Sequence, residues 1–122
     1  LWITRKGAVR AREGDPVVIP GSMGAETYLG YGRGEKHSFN SCSHGAGRRM
    51  ARKAAKREIT IEEHENDTDG VSCVKDASVL DESPRAYKDV ARVIRSQPDL
   101  FRASQVIKQF INVKGTSHGA RR

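Results

Sequence analysis

No apolar run in this 122-residue chain approaches the roughly 20 residues that a bilayer-crossing helix needs, so an α-helical membrane span is excluded. Cysteine is almost absent. Cys42 and Cys73 are too few and too far apart for a disulfide framework or a complete cysteine-based zinc site, and a reduced, cytoplasmic setting is the expectation. An initiator Met is missing, and Leu1-Trp2-Ile3-Thr4-Arg5-Lys6 has no basic-then-apolar leader, so the chain reads as one that starts within a longer protein. Apolar residues are also few. They make up 36%, below the roughly 45–50% (Gly included) of ordinary domains, as expected of a piece whose buried faces belong against partners.

Charge is plentiful but uneven. Up to Arg57 there are 12 Lys+Arg against 4 Asp+Glu, and after it 10 against 11. Arg48, Arg49, Arg52, Lys53, Lys56 and Arg57 recur at helical spacings of three and four without an intervening acid. Such a face either meets phosphates or is simply solvated, and charge alone leaves both open.

Residues 1–12 mix β-formers with cations and predict a strand. Glu13-Gly14-Asp15-Pro16 is turn chemistry, and Val17-Val18-Ile19 predicts a buried strand ending at Pro20-Gly21. A further strand is expected over 26–32. The Ala, Arg and Lys of 47–57 predict a helix. Ile59-Thr60-Ile61 leads into an acidic segment, with Asp67-Thr68-Asp69-Gly70 as a loop. Apolar residues at helical spacing predict a second helix over 85–96, stopped by Pro98, and 105–113 predicts a last strand or buried segment. Helices and short strands interleave, which gives an α/β (α+β) class.

Chemistry concentrates in Ser41-Cys42-Ser43-His44-Gly45-Ala46-Gly47-Arg48-Arg49. A histidine and two glycines opening into a basic helix would offer free N–H groups and close backbone approach to an anion. A neutral imidazole there could attack phosphorus and form a phosphoramidate, splitting one hard step into two. A capping histidine at a glycine turn is the alternative, and spacing does not decide between them. Ile19-Pro20-Gly21-Ser22-Met23-Gly24 runs a strand into a glycine-bracketed serine that can donate to a phosphate or base edge, without Walker or serine-hydrolase spacing. Lys114, at the end of an apolar segment, could reach into a site. Metal ligands are scattered. Glu62-Glu63-His64-Glu65 is the densest group, and it reads as an exposed, solvated segment.

Together these blocks resemble the C-terminal part of the RtcB-type RNA-splicing ligases. The resemblance is carried by Thr4 to Ala11, Ile19 to Gly24, Cys42 to Arg48, Gly70 to Asp76, Asp81 to Asp89 and Val113-Lys114-Gly115, in order over nearly the whole chain. It implies the C-terminal part of a larger mixed-sheet catalytic domain over 1–115, with 116–122 as a disordered tail. The implied activity joins an RNA 3′-phosphate or 2′,3′-cyclic phosphate end to a 5′-hydroxyl, using GTP and Mn²⁺, in tRNA splicing or RNA repair. In this resemblance His44 is the guanylylated nucleophile, and the guanylate passes to the RNA 3′-phosphate before the 5′-hydroxyl displaces GMP. Gly45, Ala46 and Gly47 line the phosphates. Pro20, Gly21, Ser22 and Met23 belong to the guanosine pocket, with Thr27 where the family often has serine. Lys114 reaches the nucleotide, and Tyr87 forms a pocket wall. Arg48, Arg52 and Lys56 are placed to meet RNA or nucleotide phosphates.

Two departures stand out. The family's manganese ligands lie upstream of the block that begins here at Arg5, so the resemblance implies a chain without metal ligands and inactive by itself. Ser117-His118-Gly119-Ala120-Arg121 echoes the His44 motif but lacks its second glycine. RNA is the implied partner, and an accessory activating protein is left open. The rival readings are a small basic RNA-binding module without catalysis, and a structural fragment that neither folds nor binds alone.

Overall fold

The computed structural model describes residues 2–114; Gly115 and the expected tail over 116–122 lie outside the described residues. Turn chemistry separates the first two strands, β1 (Ala8–Arg10) and β2 (Pro16–Pro20): the Asp15 carboxylate accepts from the Arg12 N–H at 3.0 Å, and Gly14 takes a φ of +80°. In β2, Val17 and Ile19 are buried while Pro16, Val18 and Pro20 face outward, and an edge strand tolerates prolines at its ends. β2 pairs antiparallel with β3 (Thr27–Gly32), which pairs antiparallel on its other side with β5 (Phe101–Ile107). The order is therefore β2-β3-β5. β1 forms a separate antiparallel pair with β4 (Ser41–Ser43), Val9 lying opposite Cys42. The class is mixed α and β, as expected.

Gly30 is explained by close approach. A Cβ there would fall 2.1 Å from the Arg102 carbonyl oxygen and 2.6 Å from Phe101 Cζ, so the ring and backbone of β5 occupy the space a side chain would take. The main core gathers on this side of the sheet, with Ile19, Val17, Tyr28, Cys42, Ala46 and Phe101 buried together. A smaller core joins Ala55 and Ile59 to Leu80 and Ala86. Tyr87 packs against both.

Three expected boundaries move, each for a tertiary reason. The basic helix α1 covers Arg52–Glu58 rather than starting at Gly47. Residues 47–50 instead run beside 86–88: Arg49 N–H donates to the Ala86 carbonyl at 2.8 Å, Lys88 N–H donates to the Gly47 carbonyl at 2.9 Å, and Arg48 bridges Tyr87. Pairing overrides helix propensity there. The same pairing shortens the helix expected over 85–96 to α3 (Val90–Arg95), capped by the Asp89 carboxylate accepting from the Ala91 N–H at 3.1 Å, after a 3-10 turn at Pro84–Ala86. The last strand begins at Phe101, four residues before the expected 105, and the chain leaves the sheet after Ile107. Beyond it Ser72 N–H donates to the Phe110 carbonyl at 2.8 Å, so the apolar run is divided between two partners.

The acidic segment is a helix, α2 (Ile61–Asp67), not an exposed loop. Thr60 and Glu63 form a reciprocal capping box, a device worth about 1 kcal/mol, and Glu62 and Glu63 complement the helix dipole in the first turn. The reading of His64 as solvated is corrected: it is fully buried, with Nδ1 2.9 Å from Ser83 Oγ and Nε2 3.1 Å from the Val74 carbonyl. The Val74 carbonyl can only accept, so Nε2 carries a proton and donates to it. No described helix is long and apolar enough to cross a membrane.

Candidate active site

β4 delivers the chain to His44, and its neighbours are tied on both sides. Ser43 N–H donates to Gln97 Oε1 at 3.0 Å, His44 N–H to the Gly7 carbonyl at 3.3 Å, and Ser43 Oγ to the Gly45 carbonyl at 2.7 Å. Ala46 plugs into the main core. The His44 side chain is exposed, and among the described residues it has no hydrogen bond or ion pair. Backbone anchoring with a free imidazole presents a nucleophile without tying up its lone pair.

Glycines keep the surroundings of His44 open. A Cβ on Gly45 would lie 3.6 Å from the Pro20 carbonyl oxygen, which places the end of β2 beside the motif. Gly47 has a φ of +77°, and Lys88 Nζ lies 4.0 Å from where its Cβ would be. The helix start expected directly after Gly47 is absent, so the groups here able to face an anion are the glycine backbone and Lys88 rather than a helix terminus.

The Ser22 turn is positioned from far along the chain. Gln109 Nε2 donates to the carbonyls of Ser22 (3.0 Å) and Ala25 (2.8 Å), and its Oε1 accepts from Gly24 N–H (3.1 Å) and Asn112 Nδ2 (2.7 Å). Gly21 is packed so closely that a Cβ would sit 2.6 Å from the Glu26 carbonyl. Met23 is fully buried and offers a ligand only its backbone; Thr27 lies in β3 opposite Pro20. Gln109→Leu is expected to destabilise the protein by about 2 kcal/mol, because it strands the Ala25 carbonyl, the Gly24 N–H and the Asn112 amide donor, while the Ser22 carbonyl keeps its bond from Ala25 N–H. The midpoint of urea unfolding measures this.

An open groove of about 760 Å³ brings Ser22 and Tyr87 together, with Glu26, Arg49, Asp67 and Lys88 also on its walls. Pro20, Thr27, His44, Gly45 and Lys114 lie outside its lining. Beneath Tyr87 is a charged network that sequence reading missed. Glu82 accepts from Tyr87 Oη (2.8 Å) and from Arg52, and Arg52 also meets Asp81 at 2.9 Å. Arg48 donates to Tyr87 Oη (2.9 Å), the Asp81 carbonyl (2.6 Å) and the Met50 carbonyl (2.9 Å), with its guanidinium 4.8 Å from the Tyr87 ring centroid. Arg48 and Arg52 are thus engaged within the fold, and Lys56 of the expected basic face is exposed. The acids that answer this face come from the 3-10 turn Ala77–Glu82, some 30 residues downstream.

Burial alone would raise the Glu82 carboxyl, but hydrogen bonds from Arg52 and Tyr87 and the charges of Arg52 and Lys114 outweigh it and hold the group below its ordinary 4.5. Burial first, then the hydrogen bond to Glu82 and that carboxylate's charge, push the Tyr87 phenol up. A depressed carboxyl contributes stability that is present above its ordinary value and lost as pH falls through the folded one. The wild-type protein should therefore lose its advantage over Glu82→Gln in thermal melts as pH falls below the ordinary carboxyl value of 4.5 and through the lower folded one.

Among the described residues, no three His, Cys, Asp or Glu side chains gather as a metal site. Cys42 is buried, which pushes its thiol up, and neither Cys42 nor Cys73 is in a disulfide.

Residues 1–115 match the sequence model of the family described as tRNA-splicing ligase RtcB. The RNA-splicing ligase RtcB of Escherichia coli is 48% identical over 115 residues, covering 94% of this chain and 28% of that protein. The tRNA-splicing ligase RtcB of Nanoarchaeum equitans is 34% identical over 129 residues, covering 90% and 27%, and that of Methanopyrus kandleri 36% identical over 131 residues, covering 88% and 13%. The chain spans less than a third of the length of these curated relatives.

Proposed function

The chain belongs to the tRNA-splicing ligase RtcB family, and on that premise we propose that its protein is a cytoplasmic, GTP-dependent RNA ligase acting through a guanylylated His44. It joins RNA 3′-phosphate or 2′,3′-cyclic phosphate ends to 5′-hydroxyl ends. The observation that supports this most is the exposed His44 imidazole, held by its backbone N–H on the Gly7 carbonyl just ahead of Gly45 and Gly47 and free of side-chain partners among the described residues.

The residues present suit a nucleoside triphosphate. The glycine backbone leaves room for phosphates, Lys88 lies over Gly47, and Arg49, Lys88 and the Tyr87 ring share the groove with Ser22. GTP, when bound, supplies the guanylyl group and a pyrophosphate leaving group. A neutral ring nitrogen of His44 forms the new N–P bond as the bond to pyrophosphate breaks. Lys88 and Arg49 offset the charge that builds on the phosphate oxygens. Lys114 lies near enough to Glu82 for its charge to act on that carboxylate, on the side of the network that supports Tyr87. Manganese enters this proposal only as an ion held by residues outside the described ones, and no step is assigned to it.

In the full-length protein, incubation with Mn²⁺ and GTP labelled at the α-phosphate should leave label on the protein, stable to base and released by acid, as a phosphoramidate is. Chasing with RNA bearing 3′-phosphate and 5′-hydroxyl ends should remove the label and join the ends. RNA binding without any label would favour the non-catalytic module instead.

A further inference from the structure

A second groove, of about 580 Å³, is lined by Arg49, Lys88, Asp89, Arg92 and Gln97 among others. Arg49, Lys88 and Asp89 line the first groove as well, so the two adjoin along that wall. Arg49, Lys88 and Arg92 are exposed, and among the described residues none of their side chains has a hydrogen bond or ion pair. This sets them apart from Arg48 and Arg52, whose charges are taken up by Tyr87, Asp81 and Glu82. Asp89, the acid on this wall, spends Oδ1 on the cap of α3. Gln97, nine-tenths buried, accepts from Ser43 N–H through Oε1, while its Nε2 donor has no partner among the described residues.

Three unpaired cations over a spare amide donor complement a ligand made of acceptors and negative charge. Two contacts fix where that ligand lies. Gln97 holds the residue before His44, and Lys88 overlies Gly47 three residues after it. We propose that this second groove binds backbone phosphates of the RNA strand next to the end being joined, with Arg49, Lys88 and Arg92 as the phosphate contacts. The inference rests on the ligase reading. It names the surface on which a strand delivering its 3′-phosphate to His44 lays its neighbouring phosphates. Arg92 is outside the first groove's lining, which separates this role from contact with the nucleotide triphosphate.

The test uses the full-length protein and a fluorescent single-stranded RNA with a 3′-phosphate, titrated without GTP at several salt concentrations. Arg92→Glu should weaken RNA binding about tenfold or more and flatten the salt dependence by about 0.7 in log–log slope per lost phosphate contact. Arg92→Lys should keep affinity within about threefold, because a phosphate accepts either cation. Unchanged RNA affinity and slope in Arg92→Glu would overturn the proposal. So would an equal loss in Arg92→Lys, which would mark a packing role, or a loss confined to GTP binding with RNA affinity intact, which would assign the groove to the triphosphate. If Arg92→Glu weakens RNA binding as expected while the wild type takes no label from GTP, the phosphate contacts of the groove stand and the ligase reading falls.

Discussion

Replacing His44 with alanine is expected to abolish covalent labelling by GTP and to lower RNA joining on the order of 10⁴-fold or more, the scale seen when a covalent nucleophile is removed. The structure lets this result be read as chemistry. The His44 side chain is exposed and unpartnered among the described residues, and its anchoring contacts use backbone atoms that alanine retains. Substitutions at such positions change stability by about 0.5 kcal/mol or less, so the melting temperature should hold while activity disappears. His44→Asn, which keeps a polar side chain but not a nucleophilic ring nitrogen, should behave the same way. Retained acid-labile label in either variant would refute the assignment.

The second large effect is expected at a residue with no part in the chemistry. His64→Ala should destabilise the protein by about 3–5 kcal/mol, through a cavity in a fully closed site and through loss of partners for Ser83 and Val74. Ser83 is itself fully buried and begins the turn that leads to Tyr87, so the damage should spread to the groove wall. His64→Gln keeps donor and acceptor capacity on a different frame and should recover part of the loss. Chemical denaturation monitored by circular dichroism checks both. A His64→Ala protein as stable as wild type would show that the buried ring contributes no net stability.

What the sequence revealed depended on how local the cause was. The Val17 and Ile19 strand and the turn at Gly14 follow from residue types within a few positions of each other, whereas the exposure of His44 is seen only in the fold. The start of α1 does not follow locally either, because the 47–50 segment is held beside 86–88, almost forty residues away, by backbone hydrogen bonds. His64 looked solvated because its neighbours are acids, and its partners, Ser83 and Val74, lie in later segments. Gln109 carried no signal at all. An isolated glutamine after a strand is unremarkable until the fold brings it to Ser22, 87 positions earlier. For Arg48 and Arg52 the spacing of charge leaves phosphates and solvent both open, and their partners lie elsewhere in the fold: carbonyls and the Tyr87 hydroxyl for Arg48, the Asp81 and Glu82 carboxylates for Arg52.

Tyr87 touches both hydrophobic clusters and also faces the larger groove. The two clusters share that ring, so neither can loosen without releasing the wall against which a ligand would rest. By mass action, any molecule that binds only the folded groove adds RT ln(1 + [L]/Kd) to the stability of the folded state. Because the ring belongs to both clusters, that increment is shared across the domain, and occupancy of the groove becomes part of what keeps this apolar-poor chain folded.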